Sequence, residues 1–432
     1  MFSTEIAILI LMGVFVGCMV LKVPITFSIM IASFSTAFYM GLSPVSVVLN
    51  MVQGLRNFAL LAIPFFILMG EIMGAGGISD KILGMANAMV GRVRGGLGLV
   101  NILASKLFSG MTGSAVADTS TSGSILIPMM KKQGYDDGYS VAVTCASSAV
   151  TILIPPSHNM VLFAVMAGAG VSVAEMFLAG IMPGILLGLC LLVLCYIISI
   201  IRKYPISDYT APRERVKAIL HGIVPLMTVI IIMGGVSFGI FTATESAAIA
   251  CLYAFILTFF VYRKIPLRAM YPIMVRTIRT LAMVLCLIAS ASAFGVIMAR
   301  LQVPAMITEA LLSISDNRYV VFLLINLLLL ILGTVMDMSP MILIMTPILL
   351  PVATNFGMSP VHFGVVMLFN LAISMSTPPV GTVLFTGCAI GKVSVEKASK
   401  ALLPLYAVMI AVLFVVTYIP SIAMWLPNLM RG

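Results

Sequence analysis

Charge is what this chain has least of. Of its 432 residues 9% are charged, against 61% hydrophobic, where a soluble globule carries about 25% charged residues. With a mean hydropathy of +1.19, this excludes a water-soluble domain and points to an all-α polytopic membrane protein. Histidine is nearly as scarce: His158, His221 and His362 are too few and too dispersed for a metal centre. The 7 cysteines are scattered through apolar stretches without a CxxC pair, so they read as small packing residues, not a disulfide or zinc framework. There is no nucleotide-binding glycine loop, no paired acid and base, and no nucleophile–His–acid set, so an enzyme is not expected. The 34 methionines fit lipid-embedded packing better than a cofactor. A net charge of +10 would suggest nucleic acid in a soluble protein; here it is explained by loop charges that set membrane topology.

What is present is polar sequence in the wrong place. Phe108-Ser-Gly-Met-Thr-Gly-Ser-Ala-Val-Ala-Asp118 and Thr119-Ser-Thr-Ser-Gly-Ser124 sit inside an apolar region. Glycine and serine break helices, and a break at membrane depth survives only where it lines a protein-enclosed or watery cavity. A second tip, Leu332-Gly-Thr-Val-Met-Asp337-Met-Ser-Pro340, begins a related unit. At a constant offset Pro128, Gly134, Pro155, Pro156 and Gly168 meet Pro351, Gly357, Pro378, Pro379 and Gly391. Matched prolines and glycines mark matched backbone breaks, so the chain is an internal duplication.

Read against a span of about 20 residues, the first repeat, 1–201, has scaffold spans at 5–22, 25–42 and 58–76, with 43–57 as an interfacial arm. Met1 to Glu5 lacks a basic region and a small-residue cleavage site, so the first of these reads as a span and not a signal peptide. The rest of the repeat follows: a re-entrant hairpin at 96–131, a broken helix at 139–169 interrupted at Ile154-Pro-Pro-Ser-His-Asn159, and a helix at 175–201. Residues 202–217 form a polar cytoplasmic linker. The second repeat, 218–432, has scaffold spans at 219–237, 243–262 and 272–299, a hairpin at 318–356, a broken helix at 361–391 around Thr377-Pro-Pro379, and a last helix at 397–425. Five crossings plus one hairpin per half is an odd number, so the second half enters the membrane upside down: an inverted repeat. With both termini periplasmic, only Arg56, Arg300, Arg318 and Arg431 fall outside, and the basic loops fall inside.

A broken helix exposes carbonyls at one end, suited to Na+, and amides at the other, suited to an anion. Each hairpin tip faces one Pro-Pro break, which predicts two similar ion sites. Candidate oxygens in the first are Ser109, Gly110, Gly113 and Ser114 with Ile154, Pro155, Ser157 and Asn159; in the second, Gly333, Thr334 and Asp337 with Thr377, Pro378, Gly381 and Thr382. Asp337 is the foremost functional carboxylate. Asp118 is either functional or a cap on the hairpin's second arm, and Glu245 reads as structural. No arginine is expected at the midplane.

Essentially the whole chain resembles the large membrane subunit of tripartite ATP-independent periplasmic (TRAP) transporters. The most specific pieces are Leu61-Ala-Ile-Pro-Phe-Phe66, Ser109-Gly-Met-Thr-Gly-Ser-Ala-Val-Ala-Asp118, Ile154-Pro-Pro-Ser157, Thr244-Glu-Ser-Ala247 and Thr377-Pro-Pro379. The resemblance implies an elevator-type secondary transporter in a bacterial inner membrane, a small four-helix membrane subunit as partner, and a periplasmic binding protein that delivers an organic acid. It implies uptake of a sialic acid or C4-dicarboxylate driven by Na+, with Thr112, Ser157 and Asp337 near the substrate and the oxygens above as Na+ ligands. The chain departs from some relatives at Ala243, where they have proline, and at His158-Asn159, which replaces a more apolar pair. The alternative expectation is a stand-alone ion-coupled carboxylate carrier that needs no binding protein.

Overall fold

The structure, a computed structural model, describes residues 3–206 and 212–431, without the side chains of residues 110–112, 169 and 431. Its elements are helices. The first half contains α1 (Thr4–Val20), α2 (Ile25–Tyr39), α3 (Pro44–Gly54), α4 (Ala62–Ala75), α5 (Ser79–Val90), α6 (Gly96–Thr112), α7 (Ala115–Lys132), α8 (Asp137–Leu153), α9 (His158–Ala167) and α10 (Val173–Ile201). The second contains α11 (Pro212–Ser237), α12 (Ala243–Ile256), α13 (Met270–Arg300), α14 (Val303–Ile314), α15 (Arg318–Gly333), α16 (Met338–Asn355), α17 (Pro360–Ser374), α18 (Thr382–Gly391), α19 (Val395–Tyr418) and α20 (Pro420–Arg431). The element order repeats: an antiparallel arm pair, α6–α7 or α15–α16, is followed by a broken helix, α8–α9 or α17–α18, and then by a continuous one, α10 or α19.

The chain differs from the sequence expectation in four places. The 12-residue helices α5 and α14 occupy stretches to which no element was assigned; they precede the two arm pairs at matching positions. Helix α11 starts at Pro212, inside the expected linker, because Pro is well placed in a first turn; residues 207–211 of that linker lie outside the described residues. The last helix is two, because Pro420 pushes Ile419 out of the helical region, to φ −117° and ψ 83°. Finally, among the described residues 7 helices are long and apolar enough to cross a bilayer, or 8 with the α8–α9 pair, which bends by 46°. The ten expected crossings include α1 with 17 residues, α2 with 15, and the α17–α18 pair with 15 and 10, all short of that length, while the hairpin arm α16 reaches it with 18.

Caps fix many of the starts. Ser43, Asp136, Ser172, Asn317 and Ser394 each accept a backbone N–H with the side chain. Thr242 and Glu245 form a reciprocal capping box, which gives Glu245 the structural place expected for it.

The centre of the molecule is α8 and α17. Every residue from Gly138 to Leu153 and from Val361 to Ser374 is buried, so neither helix has a lipid-facing stripe. The two pack on each other, and the repeats then interlock: α7 packs on α18 and α16 packs on α9. Each hairpin's returning arm thus lies against the second half-helix of the other repeat. A second group, α1–α5 with α11–α13, meets this core chiefly through α5, α4 and α11 on α6, through α4 on α9 and through α13 on α16.

Polar side chains tie the core where hydrocarbon offers no substitute partner. Asn370 Nδ2 donates to Asn326 Oδ1 at 2.7 Å, and Asn326 Nδ2 donates to Thr417 Oγ1 at 3.1 Å, joining α17, α15 and α19. Interhelical hydrogen bonds of this kind contribute about 0.6–2 kcal/mol in membranes. Asn326→Leu should therefore lower the thermal stability of the purified protein by about 1 kcal/mol, read as a fall in the unfolding midpoint. An unchanged midpoint would show that the three helices are held by packing alone.

Candidate functional site

Both tips meet the breaks of their own repeats. Helix α6 ends because Gly113 takes the left-handed conformation, φ 57°, and returns its N–H to Ser109 O at 3.1 Å. Ser114 then caps α7. A Cβ on Gly113 would sit 3.2 Å from Pro156 O and from Ser157 Cα, so this tip touches the α8–α9 break closely. Helix α8 stops at Ile154 because Pro155 supplies no N–H and forces its predecessor into extended backbone, φ −93° and ψ 122°. Ser109 Oγ lies 2.7 Å from Thr151 O and 2.6 Å from Ile154 O. One hydroxyl proton serves only one of these carbonyls. Ser157 Oγ and Asn159 Oδ1 in the same break are buried without a partner. The first break is therefore rich in oxygens and short of donors, the donor set that suits a hard cation.

At the second tip, Gly333 has no room for a side chain: its Cβ would lie 2.6 Å from both Cβ and Oγ of Ser374. Thr334 O accepts Val380 N–H at 3.1 Å, a backbone bond between tip and break. Around Gly381 the carbonyls of Thr377 and Met375 come within 2.7 and 2.9 Å of where a Cβ would be. They already accept Gly381 N–H at 3.1 Å and Val383 N–H at 3.0 Å. The hydroxyls of Thr334 and Thr377 bond carbonyls of their own helices, Ile331 O at 2.7 Å and Ile373 O at 3.0 Å. Among the described residues Thr382 Oγ1 is buried there without a partner, one such side-chain oxygen against the two of the first break.

The two halves share one cavity. A space of about 330 Å³ is lined by Ser114 and Ala115 at the start of α7, His158 and Asn159 at the start of α9, Met338 and Ser339 at the start of α16, and Thr382 at the start of α18. Four helix N-termini, each equivalent to roughly +0.5 charge, converge there. Asp337, at the N-cap position of α16, makes no side-chain cap bond and leaves its carboxylate on the cavity. A larger space of about 720 Å³ joins Ser114, His158 and Asp337 to Glu71 and Arg276 at its other end. There Arg276 Nε donates to Glu71 Oε2 at 2.7 Å.

Residues 12–422 match the family described as tripartite ATP-independent periplasmic transporter, DctM component. The chain belongs to that family. It is 39% identical to the sialic acid TRAP transporter large permease SiaM of Vibrio cholerae over 383 residues, covering 89% of each chain. It is 36% identical to the C4-dicarboxylate TRAP large permease DctM of the same species, covering 99% of this chain and 98% of that one. In fold it is similar to the YdaH transporter of Alcanivorax borkumensis, with a TM-score of 0.63, 14% identity and 88% of each chain covered. The chain is thus a multi-pass membrane protein of a transporter family.

Within this TRAP permease, Ser114, Asn159, Asp337 and Thr382 reach the shared cavity. Ser109, Gly113, Ile154, Pro155 and Ser157 sit behind it at the first tip and break, and Gly333, Thr334, Thr377, Pro378 and Gly381 sit at the second. Gly110 and Thr112 are on the last turn of α6, and their contacts lie outside the described residues. Sequence reasoning did not assign Ser339, whose signal was a serine two residues after the tip aspartate. Nor did it pair Arg276 with Glu71, a contact on the wall of the larger cavity between residues far apart in the chain. Asp118 does not cap α7; Ser114 does, accepting Ala117 N–H at 3.4 Å.

Because the tips dock without clearance, small additions there are informative. Gly333→Ala should sharply reduce transport while the protein still folds, and adding Ser374→Gly, which vacates the clashing atoms, should restore much of it. Gly113→Ala adds about 1–2 kcal/mol of left-handed backbone strain and should impair uptake without a comparable rescue. Full activity of Gly333→Ala alone, in proteoliposome uptake, would show that the second tip does not need its close seat.

Proposed function

We propose that this chain is the large membrane subunit of a Na+-coupled uptake system for an organic acid of the sialic acid or C4-dicarboxylate type. It works with a small four-helix membrane subunit and a periplasmic binding protein, in a bacterial inner membrane, with both termini periplasmic. The observation that carries this reading is the single cavity bounded by both tips and both breaks and ringed by four helix N-termini. Backbone amides and helix dipoles favour an anion there. Na+ in the oxygen-rich first break, held by Ser109, Ile154, Ser157 and Asn159, would add positive charge behind the same cavity; a second ion would use the carbonyls around Gly381. Asp337 and Ser339 present an acceptor and a hydroxyl for the polar groups of a hydroxylated acid.

The larger cavity runs from the tips to Glu71, Gly74 and Ala75 at the end of α4, beside the ion pair of Asp80 with Lys264. The basic loops at that end support a cytoplasmic side for it, and with it an inward-facing form. In an elevator mechanism the interlocked core of α6–α10 and α15–α19 would carry the cavity past the remaining helices. Each net positive charge moved inward gains about 2.3 kcal/mol per 100 mV of membrane potential.

Proteoliposomes holding the chain and both partners, tested on a small panel of organic acids, should accumulate one of them only with an inward Na+ gradient and the loaded binding protein. Uptake that ignores the Na+ gradient would contradict the coupling. Uptake of free acid by this chain alone would favour a stand-alone carboxylate carrier.

A further inference from the structure

Among the described residues Asp118 is the only aspartate, glutamate, lysine or arginine that is fully buried, with 1% of its surface exposed. None of the ion pairs among those residues includes it. Its oxygens are met by hydroxyls alone: Ser105 Oγ and Ser148 Oγ each donate to Oδ2 at 2.7 Å, and Ser122 Oγ lies 3.2 Å from Oδ1. Lys106, the next residue after Ser105, extends instead against Gly188 of α10. A sealed carboxylate without a cation is expensive in hydrocarbon and needs a compensating charge.

Its position relative to the first break supplies one. Each of the three helices that hold Asp118 carries, about one turn further on, a part of the oxygen cradle. On α6, Ser105 precedes Ser109. On α7, Asp118 N–H donates to Ser114 O at 3.0 Å. On α8, Thr151 Oγ1 donates to Ser148 O at 2.6 Å. A turn rises about 5.4 Å, close enough for a charge to be felt through a dry interior but too far for ligation. We propose that Asp118 is the fixed countercharge of the cation in the first cradle, a positioning residue that sets the affinity and the monovalent preference of that site without touching the ion. This rests on the Na+-coupled reading above. The hydroxyls that surround Asp118 hold the carboxylate in place; they do not replace the missing positive charge.

The test is thermal unfolding of the purified full chain titrated with NaCl, choline chloride keeping ionic strength constant. The wild type should be stabilised by Na+ with a definable half-saturation. Asp118→Asn, which keeps an acceptor but removes the charge, should raise that half-saturation at least tenfold. Ser148→Ala and Ser105→Ala, which strip donors and leave the charge, should leave it unchanged or lower it. A folded Asp118→Asn protein with wild-type Na+ response overturns the proposal, as does a tenfold weakening in either serine variant; the carboxylate would then be only a hydrogen-bonded tie between α6, α7 and α8. Should Asp118→Asn not fold, the serine variants alone decide. A wild type that Na+ does not stabilise would sink the Na+ reading itself, a result distinct from an unchanged Asp118→Asn.

Discussion

The structure depends on what a helix end leaves bare. In hydrocarbon an unpaired amide or carbonyl costs several kcal/mol, so eight such ends in one interior would be ruinous unless they served each other or a ligand. Here two pairs of hairpin arms and two broken helices bring their ends together. The amide ends of α7, α9, α16 and α18 face a common cavity, and the carbonyl end of α8 faces the Ser109 hydroxyl. The same geometry that satisfies the backbone leaves a cavity ringed by amide ends and, behind it, a group of buried oxygens.

Interlocking keeps these ends in register. Because α7 rests on α18 and α16 on α9, neither repeat can shift its tip without moving the other's break. The buried pair α8 and α17 serves as the common axis. Three glycines set the spacing by having no side chain: Gly113 against Pro156, Gly333 against Ser374, and Gly381 against the carbonyls of Met375 and Thr377. The two halves are not equal. The first break is buried and leaves Ser157 and Asn159 oxygens unpartnered, whereas at the second the Thr334 and Thr377 hydroxyls are used within their own helices. Two ions in such unequal cradles would differ in affinity, and the tighter one would bind first.

Much of this could be read from the sequence, since prolines and glycines report backbone breaks directly. Pro155–Pro156 and Pro378–Pro379 located both broken helices, and Gly113 and Gly333 located both tips. What stayed hidden was set by contacts far apart in the chain. Whether a threonine hydroxyl is free or bonded to its own helix, as Thr377 is, depends on a rotamer. The seam of Ser105, Ser148 and Asp118 joins three helices that no local pattern links. The short helices α5 and α14 were missed because at 12 residues they have neither the length of a span nor the polarity of a loop. Pro420 was visible but was passed over within a long apolar run.

The most direct test of the account is a pair of density maps of the protein, one in Na+ and one in choline, at a resolution that shows ions. The account predicts density among Ser109 Oγ, Ile154 O, Ser157 Oγ and Asn159 Oδ1 in Na+ alone, with Gly113 against Ser157 and Gly333 against Ser374 around one cavity. Unbroken helices through residues 154–157 and 375–381, or two tips opening on separate cavities, would contradict it.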